Sequence, residues 1–194
     1  HFEELQPYDY PVLSWMYRIC KFANNNYNIL DFGGNVAAQF YAYRKALPKN
    51  VIRKWIVYDL PKIIAVGEEF KRSQQASELY FTNKMPFNDE FDFLLMLGSI
   101  QYVEDATDPS YIITKFKKKP KYIIINRTPL LLNNQTLTVT LQNVHKTFSP
   151  MYAYNYDDFF NCFNKLGYEL IDVWKDFSCK CVIPHEKRLE IPYY

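Results

Sequence analysis

Two glycines stand side by side in the run Asp31-Phe32-Gly33-Gly34-Asn35, directly after the apolar start of a strand-like segment at 27–32. A Gly-Gly pair lets the backbone bend sharply and approach a ligand closely, because no Cβ stands in the way. The segment at 36–47 reads as a helix, and the N–H groups of its first turn would favour a negative group at the same point. Further along, Asp59 ends the run RKWIVYD (53–59). A carboxylate there can accept hydrogen bonds from two adjacent hydroxyls, which is what a ribose ring offers. Each feature alone has a plain explanation, a structural turn in one case and a surface Asp before Leu60-Pro61 in the other. Together they point to a ligand that carries adenosine. Positions 33–38 read GGNVAA and miss the pattern G-x-G-x-x-G. That argues against a dinucleotide and for a nucleoside cofactor without a pyrophosphate.

The elements that would position these residues follow an alternating order. Asp9 can cap a first helix with Pro11 in its opening turn. Val12, Trp15, Met16, Ile19 and Cys20 then recur at helical spacing, within an N-terminal helical segment of about 1–26. Strands are expected at 27–32, 53–58 and, weakly, 79–82. Helices are expected at 36–47 and 62–76. The run FDFLLML (91–97) is apolar but for Asp92, and YIII (122–125) is apolar throughout, as a strand buried on both faces of a parallel sheet requires. A helical stretch is expected between them, from Gly98-Ser99 to Lys118. TLTVTLQNV (136–144) alternates like a half-exposed strand, inside an insertion of about 130–155. A helix at 156–166 stops at Gly167. Segments 168–174 and 179–183 are then expected to close the chain as an antiparallel pair, because only a short turn joins them. The fold class is α/β: a Rossmann-like, doubly wound, mostly parallel sheet with a C-terminal antiparallel hairpin, in one domain spanning 1–194.

Composition narrows the function classes. The chain has 194 residues, enough for one domain with a substantial core, and its 48% hydrophobic content is ordinary for a globular protein. The 23 basic and 21 acidic residues leave a net charge of +2, too little for a nucleic-acid-binding field. The one basic run, KFKKKPK (115–121), reads as a solvated helix end and turn. Cys20, Cys162, Cys179 and Cys181 form neither a C-x-x-C pair nor a zinc ligand set, and they fit free thiols in a reducing cytoplasm. No His, Cys and carboxylate cluster indicates a metal. No apolar run is long enough to span a bilayer, and no signal peptide is expected.

Five stretches carry a family resemblance: ILDFGGN (29–35), IVYDLP (56–61), FDFLLMLGSIQYVED (91–105), YIIINRTPL (122–130) and FFNCFNKLGYELIDVW (159–174). In order and spacing they resemble class I S-adenosylmethionine-dependent methyltransferases. More narrowly, they resemble a bacterial group associated with polysaccharide and surface-glycan biosynthesis. The resemblance implies S-adenosylmethionine as cofactor, held at Asp31, Gly33, Gly34 and Asn35, with Asp59 and Leu60 at the ribose. It also implies an adenine contact at Asn83 and a pocket wall at Ser99, Ile100 and Gln101. The sequence departs from the family where Val36, Ala37 and Ala38 replace a third loop glycine, and where Asp59 replaces a Glu.

The acceptor, a small molecule or glycan, is expected beyond the fourth and fifth strands, near Tyr102, Arg127, Thr128, His145, Tyr152 and Tyr156. Arg127 could clamp an anionic sugar or phosphate or pair with a local acid such as Asp157. His145 is the one histidine placed to act as a base, and Tyr102 completes the catalytic candidates. A non-catalytic partner protein of the same fold and an NAD-type oxidoreductase are the rival readings. The sequence leaves the oligomeric state open.

Overall fold

A computed structural model describes residues 4–22, 26–103, 107–132, 136–144, 147–183 and 189–194, with the backbone only at 22, 144, 147 and 179. These fall into two compact units, residues 1–97 with 116–124 and residues 98–115 with 125–194.

The first unit opens with α1 (Asp9–Phe22), which buries Val12, Met16 and Cys20 on one face and leaves Tyr10 and Tyr17 outside. Asp9 lies inside the first turn rather than at the cap position. Its buried carboxylate accepts from the Gln6 N–H and from the Tyr43 hydroxyl, at 2.9 and 2.7 Å. β1 (Tyr27–Phe32), β2 (Ile52–Tyr58), β3 (Leu79–Thr82), β4 (Phe93–Leu97) and β5 (Tyr122–Asn126) form a sheet in the order β3-β2-β1-β4-β5. β1 runs parallel to both β2 and β4, and β2 runs parallel to β3. All five residues of β4 are buried, as its unbroken apolar run requires. The strand order reverses at β1, so the turn after β1 sits where open α/β sheets bind ligands.

α3 (Pro61–Gln74) matches expectation, with Pro61 in the first turn, where its missing N–H leaves no bond unmade. α2 does not. It covers only Ala38–Tyr43, because Asn35 and Ala37 take left-handed backbone angles (φ 54° and 67°) that no α-helix accommodates. A six-residue helix cannot supply the expected anion-binding terminus. Instead α2 is a plug: Phe40 and Tyr43 are fully buried and meet the Trp55 ring edge-on at 5.7 and 6.3 Å. Each such ring contributes roughly 1.5–3 kcal/mol through burial.

The second unit holds a 3-10 turn at Ile100–Tyr102, α4 (Tyr111–Thr114), β6 (Leu130–Leu131), β7 (Thr138–Val144), β8 (Thr147–Asn155), α5 (Tyr156–Lys165), β9 (Asp176–Ile183) and β10 (Leu189–Tyr193). The long helix expected up to Lys118 is therefore two short pieces. Val103 is extended, and the Asp108 side chain accepts from both the N–H and the hydroxyl of Ser110 just before α4. The expected insertion contains β6, β7 and β8, in the order β6-β8-β7. α5 ends in a Schellman turn: Gly167 N–H donates to Asn164 O and Tyr168 N–H to Phe163 O, with Gly167 at φ 86°.

The closing hairpin is antiparallel as expected, but one strand later, with β9 pairing β10. Residues 168–175 form no strand, and Leu170 and Ile171 are exposed. The observed register buries Ile191 and Tyr193 instead, and Ile191 packs with Leu131 and Ala153. Among the described residues, Cys20 and Cys162 are free thiols, and no helix is long and apolar enough to cross a membrane.

Gly67 of α3 packs against β3, where an added Cβ would lie 2.4 Å from the Phe81 ring. Gly67→Ala gains about 1 kcal/mol of helix propensity but overpacks this contact at a cost of about 1–3 kcal/mol. A net fall in melting temperature is expected, and unchanged or raised stability would show that the contact is loose. Burial raises the Cys20 and Cys162 thiols to about 11. The folded chain then holds these protons more tightly than the unfolded chain does. The resulting stability is intact below the ordinary thiol range and is lost as pH rises from about 9 to 11. A pH series of melting curves should fall across that window, less steeply in Cys20→Ala.

Candidate functional site

In the first unit, three strand ends converge on one turn. Gly33 takes φ 70° and donates its N–H to Tyr58 O at 2.8 Å, tying the turn to β2. Gly34 sits directly on the Asp31 side chain: an added Cβ would lie 2.4 Å from the carboxyl carbon. Gly34 is thus glycine for close approach, and Gly33 for its backbone angle. Asp31 is 1% exposed, and its Oδ2 accepts the Trp55 indole N–H at 3.1 Å. The turn closes with Ala37 N–H donating to Gly34 O at 3.0 Å.

Asp59 holds the same turn from the other side. Its Oδ2 accepts from Asn35 N–H at 2.8 Å and its Oδ1 from Leu60 N–H at 2.7 Å. A carboxylate has about four acceptor positions, so two remain for other donors. Leu60 is 70% exposed beside it. Asn83 is exposed and follows Thr82, whose carbonyl accepts the Asp59 N–H at 3.2 Å. Asp31, Gly33, Gly34, Asn35, Asp59, Leu60 and Asn83 therefore lie together. Trp55 is not among the residues that the sequence pattern singles out, although a tryptophan in the middle of a strand is a visible signal.

The second unit holds the other candidates. Ser99, Ile100 and Gln101 are buried. The Gln101 amide donates to Arg127 O at 3.1 Å, and Gly98 N–H donates to Asn126 O at 2.8 Å. Tyr102 bonds through its hydroxyl to Gln142, and Met151 Sδ lies 3.9 Å from the same oxygen, so it is tied to β7 and β8. Tyr154 donates to Ile100 O, and burial pushes its hydroxyl far above the usual range, which keeps it protonated. Tyr156 stacks edge-on against Phe160 and Tyr194. His145 lies outside the described residues. Among the described residues no group of His, Cys, Asp and Glu could hold a metal ion.

No protein-family model matches the chain, and no curated protein matches it. Solved structures do. The magnesium protoporphyrin IX methyltransferase ChlM of Synechocystis PCC 6803, solved with bound SAM, superposes with a TM-score of 0.56 at 11% identity, over 94% of this chain and 75% of that one. The chain has the class I methyltransferase fold. The PH0226 protein of Pyrococcus horikoshii OT3 is similar over 98% of this chain and 92% of its own, with a TM-score of 0.54 and 12% identity. The chain spans 52% of the length of the YcgJ protein of Bacillus subtilis, with a TM-score of 0.47 and 14% identity. At such identities the likeness is one of fold.

Trp55→Phe keeps the ring but removes the donor to Asp31. With a buried carboxylate left short of one hydrogen bond, a loss of about 1–3 kcal/mol is expected. Chemical denaturation should show that this loss shrinks in an Asp31→Asn background, and additive losses would mean that the two side chains are uncoupled.

Proposed function

We propose that the protein is an S-adenosylmethionine-dependent methyltransferase. The observation that carries this reading is the buried Asp31 carboxylate directly beneath Gly34. At this turn a dinucleotide-binding fold places a pyrophosphate. An anion under the backbone repels a pyrophosphate and attracts a cationic group, and the methionine end of the cofactor presents both an ammonium and a sulfonium. Only glycine allows this contact, since a side chain at 34 would collide with the Asp31 carboxyl group. The missing third glycine and the short α2 weigh against a dinucleotide in the same way.

In this reading Asp31 faces the ammonium, and the backbone at Gly33, Gly34 and Asn35 lines the methionine end. The two acceptor positions left on Asp59 take the ribose hydroxyls. Leu60 and Asn83 flank the adenine, and Ser99, Ile100 and Gln101 are assigned to the wall. When bound, the cofactor supplies an electrophilic methyl group. The protein's part is then to align an acceptor, which accounts for much of the rate in such transfers. The sequence resemblance supports a sugar hydroxyl of a surface glycan or its precursor as that acceptor, in a cytoplasmic setting. His145 is the base assigned to it, with Arg127 and Tyr102 beside the acceptor.

Calorimetry with S-adenosylhomocysteine tests the cofactor site. Asp59→Ala should weaken binding by at least about tenfold, the loss expected when charge-assisted hydrogen bonds go. Because Asp59 also ties Asn35, a drop of a few degrees in melting temperature is expected alongside. Wild-type affinity in Asp59→Ala, or binding of NAD in place of S-adenosylhomocysteine, would sink the reading. Product detection across hydroxylated acceptors then separates an enzyme from a non-catalytic partner protein.

A further inference from the structure

β7 and β8 of the second unit form an antiparallel hairpin in which Val139, Leu141 and Asn143 lie opposite Tyr152, Pro150 and Phe148. These six residues share one face, because successive side chains of a strand point to opposite sides. Thr138, Thr140 and Gln142 share the other face with Ala153, Met151 and Ser149. A half-solvated hairpin ordinarily turns its apolar face inward and its polar face out. Here β7 is reversed. Its threonines and Gln142 lie on the side of the buried Met151 and Ala153, while Val139, Leu141 and Phe148 are 56%, 68% and 71% exposed. Pro150 is exposed as well, and Tyr152 is half-buried.

The cover over this face stops part-way. Tyr152 stacks on Tyr154 at 6.5 Å, and Tyr154 packs against Phe159 of α5 at 5.4 Å. α5 thus closes the face at Tyr154 and leaves the rest open. Neither strand carries an Asp, Glu, Lys or Arg, in a chain that is 23% charged. A nucleic acid, an acidic peptide or an anionic headgroup therefore finds no counter-charge on them. The edge of the first sheet is treated differently. There Lys54 and Lys71 hold their ammonium groups 5.3 and 4.9 Å from the Tyr80 ring of β3. Lysines on an edge strand deter association with other chains, and β7, also an edge strand, has none.

We propose that this face is covered by the same face of a second copy of the chain, the two hairpins stacked across a two-fold axis. Such an isologous contact brings one patch against its own image. Leu141 and Pro150 stand at the centre of the face, so each meets its counterparts on the facing hairpin, with the sheets about 10 Å apart. Size favours this occupant as well. The open side chains present roughly 500 Å² per copy, the size of the functional patches that monomers expose. Two such faces bury about 1,000 Å², at the lower edge of specific interfaces and far short of an obligate one. A copy of the same face leaves no apolar surface over on either side, and the area fits a reversible dimer. A peptide strand would instead seat on the β7 edge and leave this face open. The dimer is independent of the cofactor reading.

Sedimentation velocity of the full chain, from micromolar to near-millimolar concentration, tests this. A monomer–dimer equilibrium that shifts with concentration is expected. Leu141→Glu places a charge in the middle of the contact and should weaken dimerisation at least about tenfold. Because Leu141 is exposed in the single copy, the melting temperature of that variant should change little. Phe148→Ser, which adds no charge, should weaken the dimer less. Val66→Glu, at an exposed valine of α3, should leave the dimer as it is. Leu141→Glu and Leu141→Lys, each monomeric alone, should associate when mixed, because the two-fold sets position 141 near its counterpart. A chain that stays monomeric at every concentration would overturn the inference. So would a dimer that survives Leu141→Glu, one that Val66→Glu dissolves equally, open-ended oligomers in place of a dimer, or charged variants that stay apart on mixing.

Discussion

The first unit is organised around one buried carboxylate. Asp31 ends the central strand, receives the indole N–H of Trp55 from the next strand, and carries the Gly34 backbone on its surface. Burying a carboxyl group is costly unless donors meet it. The neighbouring elements are arranged to meet that need. Trp55 is held by Phe40 and Tyr43, so α2 is a wedge that fixes the indole rather than a ligand-facing helix. Tyr43 in turn donates to Asp9, which links the plug to α1. The chain of contacts thus runs from the N-terminal helix through two rings to the carboxylate beneath the glycine turn.

The second unit solves a different problem. A set of its polar groups meets where β5 ends. Asn126 accepts two donors through one side-chain oxygen, Thr128 spends its backbone on the last residue, and Gln101 reaches across to the Arg127 carbonyl. An apolar cluster of Leu131, Ala153 and Ile191 packs in the same unit, and a second pair of polar contacts, Asp108 with Ser110 and Asp176 with Ser178, lies at other turns.

Much of this was legible in the residues. The five main strands follow from apolar runs of the right length, and β4 reads as buried on both faces because it has no polar position. The convergence of Gly33, Gly34 and Asp59 was readable from the order of strands alone. Three features were not. The left-handed angles at Asn35 and Ala37 belong to residue types that do not demand them, so α2 looked twice as long. The stretch 168–174 is rich in apolar and aromatic residues, as a strand would be, yet the pairing that buries Ile191 and Tyr193 is the one formed. The bond from Trp55 to Asp31 depends on the register between β1 and β2, which no local pattern in either strand reveals.

The turn at 33–37 departs from a glycine-rich loop in a way that bears on how it meets a ligand. Glycines at every bend would leave the free loop to sample many shapes, and ordering it would oppose association. Here Asn35 and Ala37 hold the left-handed wells themselves, pinned by Asp59 on one side and by the Gly34 carbonyl on the other. The turn's shape is thus fixed by bonds within the chain. Under the proposed function, such a loop would grip by fit rather than by closing, with no ordering cost to oppose association.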